Sequence, residues 1–182
     1  FVRGDQGMTR DVAQCLMGSE IQFKDLRKTK QNTLHYVTAH DGFTLWDLVS
    51  YNTKHNRLNG EDNRDGHNAN YSYNCGVEGE TQNEEILAMR IRRIKNYFTL
   101  LMLSQGVPMI LMGDEIGRTQ KGNNNAYCHD NELTWMNWEN VERNKEILNF
   151  VKQIIAFRKE SHCFMRQYEH ELKVTFHGVN YN

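Results

Sequence analysis

The chain has 182 residues, 38% hydrophobic and 25% charged, a globular composition rather than a disordered one. Lys plus Arg number 22 against 23 Asp plus Glu, a net charge of −1, without the basic excess that nucleic acid or an anionic membrane calls for. No apolar run approaches the ~20 residues of a membrane-spanning helix, and the opening "FVRGDQG" is not a signal peptide.

In chain order, "MTRDVAQCLMG" at 8–18 predicts a short helix closed by Gly18, with Val12, Cys15 and Leu16 on one face. A basic linker follows. "TLHYVTA" at 33–39 predicts a strand, short and enriched in Thr, Tyr and Val, and it runs into His40 and Asp41. "FTLWDLVSYN" begins another helix. Residues 52–82 are rich in Asn, Gly and Asp and lack periodicity; so long a loop inside a compact domain is functional or disordered, and Tyr71 and Tyr73 weigh against disorder.

The strongest helix prediction is 84–104. Asn83 caps it, Glu84 and Glu85 suit its positive end, and Leu87, Ile91, Ile94, Phe98 and Leu101 form one stripe. "VPMILM" at 107–112 is an unbroken apolar run, expected as a strand buried on both faces, and it ends in Gly113-Asp114-Glu115. A second irregular stretch spans 116–140. A last amphipathic helix is expected at 143–159, and "LKVTFHG" starts a new strand. Strand, long loop, helix, strand, long loop, helix is the order of a parallel β/α arrangement. In such barrels the chemistry sits at the C-terminal ends of the strands, where His40, Asp41, Asp114 and Glu115 fall.

Each candidate has a plainer alternative. His40-Asp41 suits hydrogen bonding to two adjacent sugar hydroxyls, or a metal, as in the helical HD-type phosphohydrolases. Asp114-Glu115 is either a catalytic carboxylate pair or a turn-former beside an ion-paired Glu. "EDNRDG" at 61–66 imitates half a calcium loop, but Ser72 stands where a Glu is needed, so a hydrogen-bonded rigid loop is the better reading. Asn123, Asn124 and Asn125 offer neutral donors and acceptors suited to hydroxyl recognition, and Tyr127, Trp135 and Trp138 can stack on sugar faces or simply pack. The four cysteines, Cys15, Cys75, Cys128 and Cys163, are widely spaced with no C-x-x-C pair, which reads as free thiols in a reducing compartment. Asn70-Tyr71-Ser72 is a glycosylation sequon without a secretory signal. No phosphate loop, serine-nucleophile motif or zinc signature is present.

Taken together, "YVTAHDGFTLWDLVSYNTKHNRLNGEDNRDG", "NYSYNCGVEGET" and "LLMLSQGVPMILMGDEIGRTQKGNNNAYCHDNELTWMNW" resemble the glycogen debranching enzymes and isoamylases of the α-amylase superfamily over essentially the whole chain. The resemblance implies an α/β fold, the C-terminal portion of a (β/α)8 TIM barrel over 1–165, with the start of a C-terminal β-domain at 166–182. It implies retaining hydrolysis of α-1,6 branch linkages in glycogen, starch or limit dextrin, in the cytoplasm, with no cofactor, no metal, and no nucleic-acid or membrane partner. "TAHD" looks like the family's seventh-strand motif, which makes Asp41 the third carboxylate, a transition-state stabiliser, and His40 a sugar contact. Asn123, Asn124, Asn125 and Tyr127 become substrate-binding candidates. The nucleophile and the acid/base would lie before residue 1, and a (β/α)8 barrel needs ~250 residues, so both ends read as cut from something longer and the 182 residues alone are expected to be inactive. An inactive glucan- or partner-binding remnant would look the same over this region. Val2, His129 and Asn137 depart from the family's usual aromatic, Gln and Asp.

Overall fold

The structure, a computed structural model, describes residues 1–16 and 33–161. Gly18, Cys163, the strand expected from "LKVTFHG" and the β-domain expected at 166–182 lie outside them.

Five helices and two strands are formed among the described residues: α1 Thr9–Leu16, β1 Leu34–His35, α2 Leu45–Leu48, α3 Glu84–Leu103, β2 Val107–Pro108, α4 Asn140–Arg143 and α5 Lys145–Glu160. Single 3₁₀ turns stand at Arg57–Asn59 and Asp114–Ile116. α3 starts as expected. The Asn83 side chain accepts from the amides of Glu85 (3.0 Å) and Ile86 (3.2 Å), which fills two of the donors a helix start leaves open. The helix stops where Ser104 turns extended.

The core is the seam between α3, α5 and the segment around α2. Leu45, Val49, Cys75, Ile94, Phe98, Ile147 and Val151 are buried together there. Of the predicted α3 stripe, Ile94, Phe98 and Leu101 are buried, while Leu87 and Ile91 are half-buried. Arg158 locks the C-terminal end of α5 onto the turn between α3 and β2. Its guanidinium donates to the carbonyls of Met102, Ser104 (2.8 Å) and Gly106 (2.6 Å).

β1 and β2 pair in parallel, Leu34 opposite Val107 and His35 opposite Pro108, with α3 in the connection between them. Both strands are shorter than the sequence suggests. The run 107–112 is not buried on both faces: Val107 and Met112 are exposed, and residues 108–111 are only half-buried. Among the described residues each strand has a neighbour on one edge only, and a ladder with an unpaired edge and an uncovered face has little to hold it extended. The helix expected after Thr44 is a single turn, because Val49 leaves the helical conformation and the chain enters the loop.

Candidate active site

β1 leads into a turn that presents His40 and Asp41 to solvent. Their side chains are 89% and 74% exposed, and His40 Nε2 lies 3.4 Å from Asp41 Oδ2. An exposed pair at this distance contributes little to stability. Gly42 follows in the left-handed region at φ +90°, a conformation that an L side chain strains to adopt.

This exposed pair has a buried mount. Asp114, at the end of the β2 run, is 2% exposed, and its two oxygens grip both ends of the turn. Oδ2 accepts from the Thr38 hydroxyl and Oδ1 from the Leu45 amide at 2.9 Å. The sequence expectation for Asp114 is a catalytic carboxylate or a former of the turn after its own strand; its side chain instead ties the distant 38–45 turn. Burial pushes its carboxyl up to about 6, against the pull of the Thr38 and Leu45 donors. Glu115 folds back and accepts from the Gly113 amide at 2.9 Å.

Asp47, which nothing in the sequence singles out, does the same one helical turn later. It is fully buried and accepts from the Thr119 hydroxyl and the Gln120 amide (2.8 Å), so the second loop is tied to α2. Burial raises its carboxyl to about 6 as well, with the Thr119 and Gln120 bonds opposing. The only signal in the sequence is an acid inside an apolar segment, "LWDLV", and a solvated helix face reads the same way.

The two long loops are joined by amides. Asn56 and Asn124 exchange two bonds: Asn56 Nδ2 donates to Asn124 Oδ1 (2.8 Å), and the Asn124 amide donates to Asn56 Oδ1 (3.0 Å). Asn124 Nδ2 donates to the His67 carbonyl (2.8 Å) and Asn70 Oδ1 (2.6 Å). Asn123 Nδ2 donates to Asn59 Oδ1 (2.6 Å), which also faces His129 Nε2 at 2.7 Å. Asp65 Oδ2 collects donors from Asn59 (2.6 Å), Asn125 (2.9 Å) and Asn56 (3.3 Å). Burial opposes the charge on Asp65, but the Asn125 and Asn59 donors outweigh it and hold the carboxyl below its ordinary range. Lys54 points inward and donates to the carbonyls of Arg64 (3.2 Å), Asp65 (2.6 Å) and Gly66 (3.3 Å). The stretch 61–66 is therefore a hydrogen-bonded loop. Among the described residues no group of three or more His, Cys, Asp or Glu is placed to hold a metal ion.

At the other end of the first loop Glu78 gathers the amides of Asn52 (2.8 Å) and Thr53 (3.1 Å), Asn74 Nδ2 (2.9 Å) and the His55 ring (3.1 Å). Burial would raise its carboxyl, yet these donors bring it down to about 2. Arg90 of α3, buried in the stripe, ties down 74–79 through the carbonyls of Gly79 (2.7 Å), Asn74 (3.0 Å) and Val77 (2.6 Å).

The sequence-predicted residues thus divide. His40 and Asp41 stand open to solvent. Asn123 and Asn124 are 1% and 2% exposed, with side-chain amides bonded inside the protein, whereas hydroxyl recognition needs free ones. Asn125 is half-buried on Asp65. Tyr127 is exposed at the rim, its hydroxyl donating to Glu61 Oε1 at 2.9 Å. Trp135 and Trp138 are exposed nearby in sequence. One bond joins the 40–42 turn directly to the Asn run: the Gly42 amide donates to the Asn124 carbonyl at 3.0 Å.

No protein-family model matches the chain. Among curated proteins it is 50% identical over 167 residues to a glycogen operon protein GlgX homolog of Mycobacterium bovis, covering 92% of this chain and 23% of that one. It is 51% identical over 156 residues to the GlgX homolog of Haemophilus influenzae, covering 81% and 23%. It is 42% identical over 181 residues to chloroplastic isoamylase 1 of Arabidopsis thaliana, covering 98% and 23%. The chain therefore spans about a quarter of the length of these relatives. Among solved structures it resembles a pullulanase of Anoxybacillus sp. LM18-11 complexed with maltotriose, at TM-score 0.64 and 24% identity, over 90% of this chain and 19% of that one. A type I pullulanase of Bacillus subtilis complexed with maltose gives TM-score 0.64 at 23% identity, again over 90% and 19%. The structural likeness shows a shared fold, and the sequence relatives are more specific: over four-fifths or more of its length the chain is homologous to part of the glycogen operon GlgX homologs and of isoamylase 1.

Proposed function

We propose that the chain is the C-terminal portion of a catalytic (β/α)8 barrel, residues 1–165, with the start of a C-terminal β-domain at 166–182. The longer polypeptide is a cytoplasmic glycosidase that hydrolyses α-1,6 branch linkages of glycogen or starch with retention. The observation that carries this reading is the identity to GlgX and isoamylase relatives over four-fifths or more of the chain. It is supported by an exposed His40-Asp41 pair on a turn that buried groups hold from behind. The maltose and maltotriose bound to the structurally similar pullulanases support an α-glucan ligand.

Asp41 is the third of three carboxylates and neither attacks nor transfers the proton. The transition state is oxocarbenium-like, and hydrogen bonds to ring hydroxyls strengthen as it forms. A carboxylate already fixed beside those hydroxyls stabilises that charge without reorganising, an effect commonly worth about 10²–10³ in rate. His40 makes the neighbouring sugar contact, and Tyr127 is a rim contact. The nucleophile and the acid/base come from other parts of the polypeptide. Asp41→Asn in the longer polypeptide is expected to lower turnover of glycogen by at least about 10²-fold while the protein stays folded. Near-wild-type turnover in a folded variant would sink the role given to Asp41. Residues 1–182 alone are expected to release no reducing ends from glycogen, and activity from the purified chain would contradict the division of the three carboxylates.

A further inference from the structure

The turn that carries Asp41 continues through Gly42, whose φ of +90° and lack of a side chain leave it a wide range of backbone states. Any swing at Gly42 redirects the adjacent carboxylate. The Gly42 amide is held by the carbonyl of Asn124 (3.0 Å). Asn124 itself has no freedom to give. Its side chain is buried, and every polar atom of its amide is bonded: Nδ2 to His67 O and Asn70 Oδ1, Oδ1 to Asn56 Nδ2. The slot for this amide exists because Gly66 lines it. A Cβ on Gly66 would stand 2.2 Å from Asn124 Oδ1 and 2.7 Å from Asn56 Nδ2. An amide fitted this tightly grips the first loop and passes that rigidity, through one main-chain bond, to the residue beside Asp41.

We propose that Asn124 is a positioning residue for Asp41: its side chain anchors it to residues 56, 67 and 70, and its carbonyl fixes the turn that aims the carboxylate. This rests on the assignment of Asp41 as the stabilising carboxylate. It replaces the expectation that Asn124 binds sugar directly, since its side chain is buried and both of its N–H donors are already bonded inside the protein. A misplacement near 1 Å costs a reacting group up to about 10²-fold in rate.

The test uses the longer polypeptide with glycogen as substrate. Asn124→Ala is expected to lower kcat by about 10- to 100-fold and leave KM within about 3-fold of wild type. A gentler pair acts one bond away. Asn70→Ala removes the acceptor of Asn124 Nδ2 and is expected to lower kcat by about 3- to 10-fold. Asn70→Asp keeps that acceptor and is expected to bring kcat back above that of Asn70→Ala; among the described residues the Asn70 nitrogen it replaces has no partner, so no bond is lost, and burying the second carboxylate oxygen holds the recovery short of wild type. A raised KM with unchanged kcat in Asn124→Ala would overturn the proposal in favour of direct sugar contact. Should Asn124→Ala not fold, equal kcat for Asn70→Ala and Asn70→Asp would overturn it. Near-wild-type turnover by Asp41→Asn would remove the Asp41 assignment and this proposal with it. An inactive Asp41→Asn beside a full-rate Asn124→Ala would remove this proposal alone.

Discussion

Replacing Asp114 by Asn tests the buried mount of the 38–45 turn. The carboxyl is pushed up to about 6 from 3.8, chiefly by burial, with the Thr38 and Leu45 bonds working against the shift. Between about pH 4 and pH 6 the folded protein keeps a proton that the unfolded chain has released. Stability is therefore fully present below the unfolded value and is lost as pH rises through the folded one. A shift of about two units at about 1.4 kcal/mol each makes that loss about 3 kcal/mol. The replacement carboxamide is nearly isosteric: its oxygen accepts from Leu45, and its nitrogen donates to the Thr38 hydroxyl, which rotates to accept. The variant is expected to match wild type near pH 4 and to gain up to about 3 kcal/mol on it by pH 7. Asp47 remains in both proteins, so the variant keeps part of the slope. The assay is urea unfolding at half-unit steps from pH 4 to pH 7, with midpoints and slopes fitted together. Parallel stability curves for the two proteins would refute the reasoning.

Two further outcomes follow from the loop anchors. Arg90→Met keeps the apolar stem, strands the carbonyls of Val77 and Gly79 and leaves that of Asn74 with the Val77 amide alone; a loss of about 3 kcal/mol is expected in unfolding midpoints, with faster proteolysis between 74 and 79. Glu78 has a depressed carboxyl, so its stabilisation of the first loop is present above the ordinary value of 4.5 and lost as pH falls toward about 2. Hydrogen exchange is expected to show the Asn52 and Thr53 amides losing protection across that window, and unprotected at every pH in Glu78→Ala.

Part of this molecule is legible in its residue order alone. α3 declares itself through Asn83, the two following Glu residues and an apolar stripe, because capping and periodicity are local. The His40-Asp41 turn is legible as a functional candidate because it follows a β-like run and lies within long stretches that match a family in order and spacing. The Asn run is visible as unusual, but its structural use is not. Asn124 meets Asn56, Asn70 and His67 at separations of 68, 54 and 57 residues, and no local rule predicts such partners. An exposed amide and a loop-locking amide are the same letters. Asp47 is hidden for the same reason, since its partners Thr119 and Gln120 lie more than seventy residues away. The strands come out shorter than their apolar runs suggest because such a run reports what a strand wants as neighbours, and among the described residues only one edge of each is paired.

The join between the two loops is made of carboxamides, and carboxamides age. Asn59 precedes Gly60, the dipeptide whose backbone nitrogen most readily attacks a side-chain amide and expels ammonia. Here the leaving nitrogen is held by Asp65 Oδ2 (2.6 Å) and by the Asn125 carbonyl (2.8 Å), which restrains the rotation that cyclisation needs. Were that restraint lost, the ring closed by the Gly60 nitrogen would release ammonia and then be opened by water, and the resulting carboxylate would put an acceptor where a donor had faced two acceptors, one of them already charged. The loop interface would then repel where it had bonded, and the damage could not be undone by refolding. The same contacts that set the geometry of the site thus also set how long an individual molecule keeps it.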